Sequence, residues 1–172
     1  MPDPSRLAEF GSRHGAILYV DVVRPGHIRS PQARRLFQWW QAQAEAEGGI
    51  PRRAQFDVIE HRALIPDLFL TRVLPCGGFR YELHGERALA VLGRNNRGRP
   101  LGALEPRDYY EEVAAYYRGV TSRGRCRQSF GTLGPLGRDH QAFAGIDCPL
   151  LDEDGRVGWL IGVIEDCADL AA

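Results

Sequence analysis

Three strand-like runs crowd the last third of the chain and leave it little choice of fold class. Cys126 to Leu133, His140 to Leu151 and Val157 to Ile164 are rich in apolar and β-favouring residues. Asp152-Glu153-Asp154-Gly155 is a turn joining the last two, and strands joined so tightly pair antiparallel. A second pair lies upstream. Leu68 to Leu74 and Phe79 to His84 flank the turn Pro75-Cys76-Gly77-Gly78. Phe79, Tyr81 and Leu83 alternate with Arg80, Glu82 and His84, which predicts a sheet with one apolar face. Between the two groups stands a helical block. Residues 86–105 read as short helices broken by Gly93, Gly98, Pro100 and Gly102. Pro106 opens a longer helix with an apolar stripe of Tyr109, Tyr110, Val113, Tyr116, Tyr117 and Val120, and Gly124 follows its last turn. Hairpins on both sides of a helical block imply α+β with an antiparallel sheet, not a βαβ repeat.

The leading segment adds one firm element. Ser30-Pro31 has the form of an N-cap followed by Pro at the first helical position, and Gly48-Gly49 ends the helix over 31–47. Ala33, Leu36, Phe37, Trp40 and Ala44 form its stripe; Trp39 falls at or beyond the stripe edge. Asp57-Val58-Ile59-Glu60 matches a capping box and predicts a short helix stopping before Pro66. Residues 1–29 are an arm with one strand, Ala16 to Val23, closed by Pro25-Gly26.

Composition narrows the function classes. A chain of 172 residues makes one domain. All 22 basic residues are Arg and balance 22 acidic ones, so the net charge is zero. That excludes Schiff-base and Walker-type lysine chemistry and argues against nucleic-acid binding. Arg94, Arg97, Arg99, Arg123, Arg125 and Arg127 are the candidate basic patch. The four cysteines, Cys76, Cys126, Cys148 and Cys167, form no CxxC and no Cys/His cluster. They read as reduced thiols of a cytoplasmic protein, with no metal site. No apolar run approaches the ~18–20 residues of a membrane span, and the polar N-terminus is unlike a signal peptide. No phosphate loop and no GxSxG elbow is present, so the chain is not expected to be an enzyme. Asp152-Glu153-Asp154 lacks EF-hand spacing, and Asp108, Glu111 and Glu112 suit the solvated start of a helix.

The run from Pro149 to Asp166, a proline, an acidic turn with Gly, an alternating strand with glycines and a final acidic pair, resembles the last hairpin of a PAS sensory domain. The element order over 66–166 is similar to PAS as well. Leu36 through Ile164 resembles a short, stand-alone PAS-like family common in alphaproteobacteria, through the leading helix, Ile65-Pro66-Asp67-Leu68-Phe69-Leu70, Leu92-Gly93-Arg94 and Gly98-Arg99. The resemblance implies a five-stranded antiparallel sheet cupping a small cavity, helices on one face, and an outer sheet face free for dimers or partners. It sets the domain at 30–166, with a short tail at 167–172. PAS-linked kinases and cyclases continue past the acidic-Asp pair into an output domain; here Cys167-Ala168 follows Asp166, so the signal is expected to leave by contact with another protein or by self-association.

Tyr81, Leu92, Tyr117, Phe130, Phe143, Trp159 and Ile161 are the expected cavity residues, and Trp159 is expected to be largely buried. Gly93-Arg94-Asn95-Asn96-Arg97 resembles the flavin motif of blue-light PAS domains, but Asn96 stands where the adduct-forming Cys would be. The long helix carries no His for haem, so no cofactor is expected. His61, His84 and His140 read as surface or strand-end groups. An exposed Trp39 and an unpaired arm strand around Leu18 and Val20 point to a homodimer contact, the other arrangement being an arm folded back over Trp39. The expected function is a cytoplasmic sensory or regulatory module that acts on a protein partner, gated by a small apolar or anionic ligand. The alternative is a small-molecule-processing enzyme on a cup-shaped α+β fold.

Overall fold

The computed structural model describes residues 8–11 and 17–167. Seven strands form one antiparallel sheet: β1 (Ala8–Gly11), β2 (Ile17–Asp21), β3 (Leu68–Val73), β4 (Phe79–His84), β5 (Arg127–Leu133), β6 (Arg138–Leu151) and β7 (Val157–Asp166). Their spatial order is β1-β2-β5-β6-β7-β3-β4. The expected five strands are the run β5-β6-β7-β3-β4, and the arm adds β2 and β1 beyond β5. Ala16, at the start of the expected arm strand, lies outside the described residues, as do 1–7, 12–15 and 168–172.

The prediction of a single apolar sheet face is corrected: both faces are covered. The long helix α3 (Arg107–Arg123) and the short helix α2 (Glu86–Leu92) close one face. The leading helix α1 (Pro31–Glu47) closes the other. Ser30 Oγ accepts a hydrogen bond from the Ala33 amide at 3.0 Å, and Gly48 ends α1 at φ 69°. The helix buries Ala33, Leu36 and Phe37 against Leu68, Leu70, Ile146, Leu150, Ile161 and Val163 of the sheet. The Trp40 indole N–H donates to the Pro149 carbonyl at 2.8 Å, and the Gln32 amide donates to Glu165 Oε2 at 3.1 Å. On the cupped face, Arg87 of α2 holds the buried Asp67 carboxylate through both oxygens, at 2.8 and 2.5 Å.

An irregularity between Leu70 and Thr71 of β3 inverts the end of β4. Phe79 and Tyr81 face the cup, whereas Leu83 packs with the α1 side, so the simple alternation of that strand breaks. The helix expected from Asp57 does not form. The Asp57 carboxylate accepts the Ile59 amide at 2.7 Å, which supports a turn rather than a helix start. The turn Asp152 to Gly155 forms as expected; the Asp152 amide donates to the Arg156 carbonyl at 2.8 Å, and Asp152 Oδ1 accepts from the Arg156 amide at 3.0 Å.

The reading of four reduced thiols is corrected for one pair. Antiparallel pairing of β5 and β6 brings Cys126 and Cys148 opposite each other, and they are joined as a disulfide under α1. Cys76 and Cys167 are free, the first exposed and the second buried.

The cupped face admits no added bulk at its centre. A methyl group on Gly162 would fall onto the Phe69 ring and lie 2.7 Å from the Ile146 carbonyl oxygen. Gly162→Ala should therefore lower the unfolding free energy by about 1–3 kcal/mol. Gly26→Ala, with nothing within 4 Å of the added atom, should change it by less than about 1 kcal/mol. Chemical denaturation of the two variants checks the contrast.

Candidate functional site

Between α3 and the sheet lies a cavity of about 60 Å³. Three elements supply most of its wall. From α3 come Tyr109, Val113, Tyr116 and Tyr117, the inward stripe of that helix. From the sheet come Phe69, Tyr81, Ser129, Leu133, Phe143, Gly145, Asp147, Val163 and Ile164. The arm supplies Ile17 and Tyr19, and Leu92 closes one end. The Tyr19 and Tyr116 rings stack with centroids 4.4 Å apart, and Phe79 meets Tyr117 edge-on at 5.2 Å.

Of the expected cavity residues, Tyr81, Leu92, Tyr117 and Phe143 line this space. Phe130, Trp159 and Ile161 do not, and their assignment is corrected. Side chains alternate across a strand, and these three point to the opposite face. Ile161 is wholly buried with the α1 cluster. Trp159 is half-buried rather than largely buried, with the Arg72 guanidinium 5.1 Å from its ring centre. Phe130 is half-buried under the Arg29 guanidinium at 4.0 Å.

Two residues that the sequence reading passed over dominate the cavity. Tyr19 belongs to the arm strand, whose run Ile17-Leu18-Tyr19-Val20 is apolar on both faces and so hides which side is inward. Asp147 sits in the middle of β6 between Ile146 and Cys148; a lone acid inside an apolar strand was the available signal. Asp147 is only 3% exposed. Its Oδ2 lies 2.8 Å from the Tyr116 hydroxyl, which also lies 2.9 Å from the Arg127 carbonyl oxygen. The Tyr116 hydroxyl has one proton to share between the Asp147 carboxylate and the Arg127 carbonyl. Burial pushes the Asp147 carboxyl up to about 7, and the Tyr116 hydrogen bond pulls the other way. Burial also raises Tyr81, Tyr116 and Tyr117, so these hydroxyls stay neutral.

Three of the six candidate arginines are engaged within the fold. Arg123 and Arg127 both bind Asp21 at the end of β2, at 2.9 and 2.6 Å, and Arg127 is buried. Arg94 donates to the Leu104 carbonyl at 2.6 Å. Among the described residues, no group of three or more His, Cys, Asp or Glu side chains could hold a metal ion, and no helix is long and apolar enough to cross a membrane. His84 is a strand-end group, 4.9 Å from the Tyr81 ring; burial lowers it to about 4 and keeps it neutral.

The cavity does not fit a flavin. Pockets that enclose drug-sized ligands span ~300–1,000 Å³, several times this volume. Asn96 is buried, and its Nδ2 donates to Glu105 Oε1 at 2.6 Å. Glu105 in turn accepts the Gly102 amide at 2.9 Å. Asn96 is thus a loop-fixing residue here, with an amide that cannot form a thioether adduct.

Of the residues expected at an interface, Leu18 is 40% exposed and Val20 partly so, both on the outer face of β2. Trp39 is half-buried; it packs edge-on against Phe56 at 4.9 Å and His61 at 5.7 Å. The segment after α1 packs on it. The arm strand finds its partner inside the chain, pairing Leu18 with Phe130 of β5.

Comparison with known proteins follows the same lines. The sequence profile described as "PAS domain" matches residues 28–131, more than half of the chain. No curated protein sequence matches. Among solved structures, an RNA-binding light-oxygen-voltage receptor is similar at 15% identity with a TM-score of 0.53, over 90% of this chain and 40% of that one. The chain thus spans about two-fifths of that receptor's length. The PAS domain of Bordetella pertussis BvgS is 16% identical with a TM-score of 0.47, over 66% of this chain and 90% of that one. The N-terminal domain of a Marinobacter aquaeolei diguanylate cyclase with a PAS/PAC sensor is 14% identical with a TM-score of 0.43, over 61% and 99%. At these identities the likeness is one of fold.

Two outcomes are expected. A carboxyl raised from 3.8 to about 7 binds its proton in the folded state over a range where the unfolded chain has lost it. Its effect on stability is therefore neutral below pH about 4 and increasingly unfavourable as pH rises to about 7. His84, lowered from 6.5 to about 4, works the other way, costing stability as pH falls through that window. The difference between Asp147→Asn and wild type cancels the histidine. That difference, read as Tm, should move in favour of the variant from pH about 4 to 7 and then level off. Separately, the purified protein should be colourless; a stoichiometric flavin or haem band in its visible spectrum would refute the cavity volume.

Proposed function

The chain belongs to the PAS domain family, and from that premise we propose that it is a sensory or regulatory module in which a small ligand in the α3–sheet cavity sets the affinity for a protein partner. The observation that carries this reading is the cavity itself. Protein interiors pack to the density of organic crystals, and a gap of about 60 Å³ lined by five tyrosines and a buried acid is not what close packing leaves behind. The alternative of an enzyme finds less support: the described lining residues include Ser129 and Asp147 but no histidine, lysine or cysteine to pair with them.

The surface for the partner follows from what α1 leaves open. That helix occupies the outer sheet face over β3, β6 and β7. Leu18 and Phe130, paired across β2 and β5 on the same face, keep apolar surface in contact with water, and Val23 nearby is 49% exposed. Tyr19 lies on the other face of the same strand and lines the cavity. A ligand that shifts Tyr19 thus acts on β2 directly, one residue away from Leu18. We take the occupant of this face to be a second copy of the chain, in keeping with a reading as a homodimer.

Sedimentation equilibrium at high micromolar concentration tests it. The wild type should run as a dimer, and Leu18→Glu with Phe130→Glu should run as a monomer of unchanged circular dichroism. A monomeric wild type would turn the patch over to a different protein, which a pull-down from the native cell with both forms would identify.

A further inference from the structure

The cavity has a charge character that the fold does not require. Asp147 is the one carboxylate among the described lining residues, and none of them carries a basic side chain. Asp147 lines the cavity; its Oδ2 is taken up by Tyr116, and its Oδ1 is buried with no hydrogen-bond partner. The base nearest in register, Arg127 directly across from Asp147 on β5, is committed to Asp21 at 2.6 Å. A buried carboxylate oxygen without a partner is costly unless something donates to it. Around it stand the rings of Tyr19, Tyr81, Tyr109, Tyr116 and Tyr117. Electron-rich aromatic walls attract cations, and cages of such rings hold alkylated ammonium groups.

We propose that this cavity binds a small alkylammonium ion of about four non-hydrogen atoms, with Asp147 Oδ1 accepting its N–H and the tyrosine rings enclosing its alkyl groups. The size follows from the volume, since about 60 Å³ corresponds to roughly four water-sized positions at ~10–15 Å³ each. This identifies the ligand class of the sensory reading above and rests on it. An anion in the same space would find no counter-charge among the described lining residues. A purely apolar ligand would leave Oδ1 unpaired.

Proton balance gives the proposal a second signature. Below pH about 7 Asp147 carries a proton in the empty cavity; the ammonium replaces it, and up to one proton leaves to solvent for each cation bound. The titratable groups facing Asp147 are Tyr109, Tyr116 and Tyr117 of α3, Tyr19 of β2 and Tyr81 of β4, all with raised values and neutral in this range. Arg127 of β5 pairs with Asp21, and Glu105 and Glu112 act on the same tyrosines. Asp147 is thus the group whose proton competes with the cation.

The experiment is calorimetric titration of the full chain with trimethylammonium chloride, and with tert-butanol as a neutral molecule of similar shape. Trimethylammonium should bind at one site, at least tenfold tighter than tert-butanol. Its affinity should fall tenfold for each pH unit below about 7, with proton release seen as a dependence on buffer ionisation heat. Asp147→Asn should lose at least tenfold in trimethylammonium affinity and none for tert-butanol. If that variant does not fold, the two probes on the wild type decide alone. Equal or tighter binding of tert-butanol overturns the cation while leaving a ligand cavity. Binding of neither probe overturns the cation and counts against the ligand-gated reading as well.

Discussion

A sheet that is apolar on both faces must be covered twice, and every other layer of this molecule answers to that requirement. The central strands leave no choice: Ile146, Cys148 and Leu150 on one side of β6, Phe143 on the other, with Leu160 and Ile161 back to back on β7, are all buried. Transfer of one such side chain from water contributes about 1.5–3 kcal/mol, so neither face can stay wet. The chain meets the demand with α3 and α2 on the cup and α1 on the back. The back layer is fastened by the Trp40 contact to Pro149, and the cup by the Arg87 clasp on Asp67. The cavity is the place where the second cover does not quite meet the sheet.

That double covering changes how the family's fold can be used. The outer sheet face was expected to be free for partners, but α1 occupies its centre. What remains open is the end built by the arm, where β2 lines the cavity with Tyr19 and faces outward with Leu18. Arg123 and Arg127 converge on Asp21 at the end of that strand, so β2 is tied to α3 and β5 as well as paired. β2 thus connects the inside of the molecule with its outside, as β5 does beside it through Ser129 and Phe130.

The topology was legible from the sequence because it depends on local signals: an N-cap serine before a proline, acidic turns with glycine, and the order of helices and strands. The faces of the strands were not legible, because alternation carries information only where one face is polar. In β7, Trp159, Ile161 and Val163 alternate with Gly158, Leu160, Gly162 and Ile164, and hydrophobicity does not say which set looks inward. The glycines did hold the answer. Gly162 sits on the cup side because Phe69 lies against it, and Gly145 because the Val163 carbonyl does. The missed Asp147 carries the same lesson, since a polar residue in an apolar run has a stronger reason to be there than its neighbours. The Asp57 helix failed for an opposite reason: the side chain that caps a helix can equally close a turn, and nothing downstream enforced the helix.

The two ends of the sheet differ in a way that bears on assembly. Along β4 the free backbone is already used: Gly98 donates to the Tyr81 carbonyl at 2.6 Å, Tyr81 to Arg99 at 3.2 Å and Leu101 to Phe79 at 2.9 Å. The segment 98–101 therefore acts as a selvedge that stops the fabric from growing on that side. Among the described residues, extension of the sheet is left to the arm's side. A ribbon with one sewn edge can be joined to its like only once, back to back about a two-fold axis, and the product has no raw edge left to recruit a third. Fibrous growth by strand addition, the common hazard of a sheet this wide, is thereby limited to a closed pair.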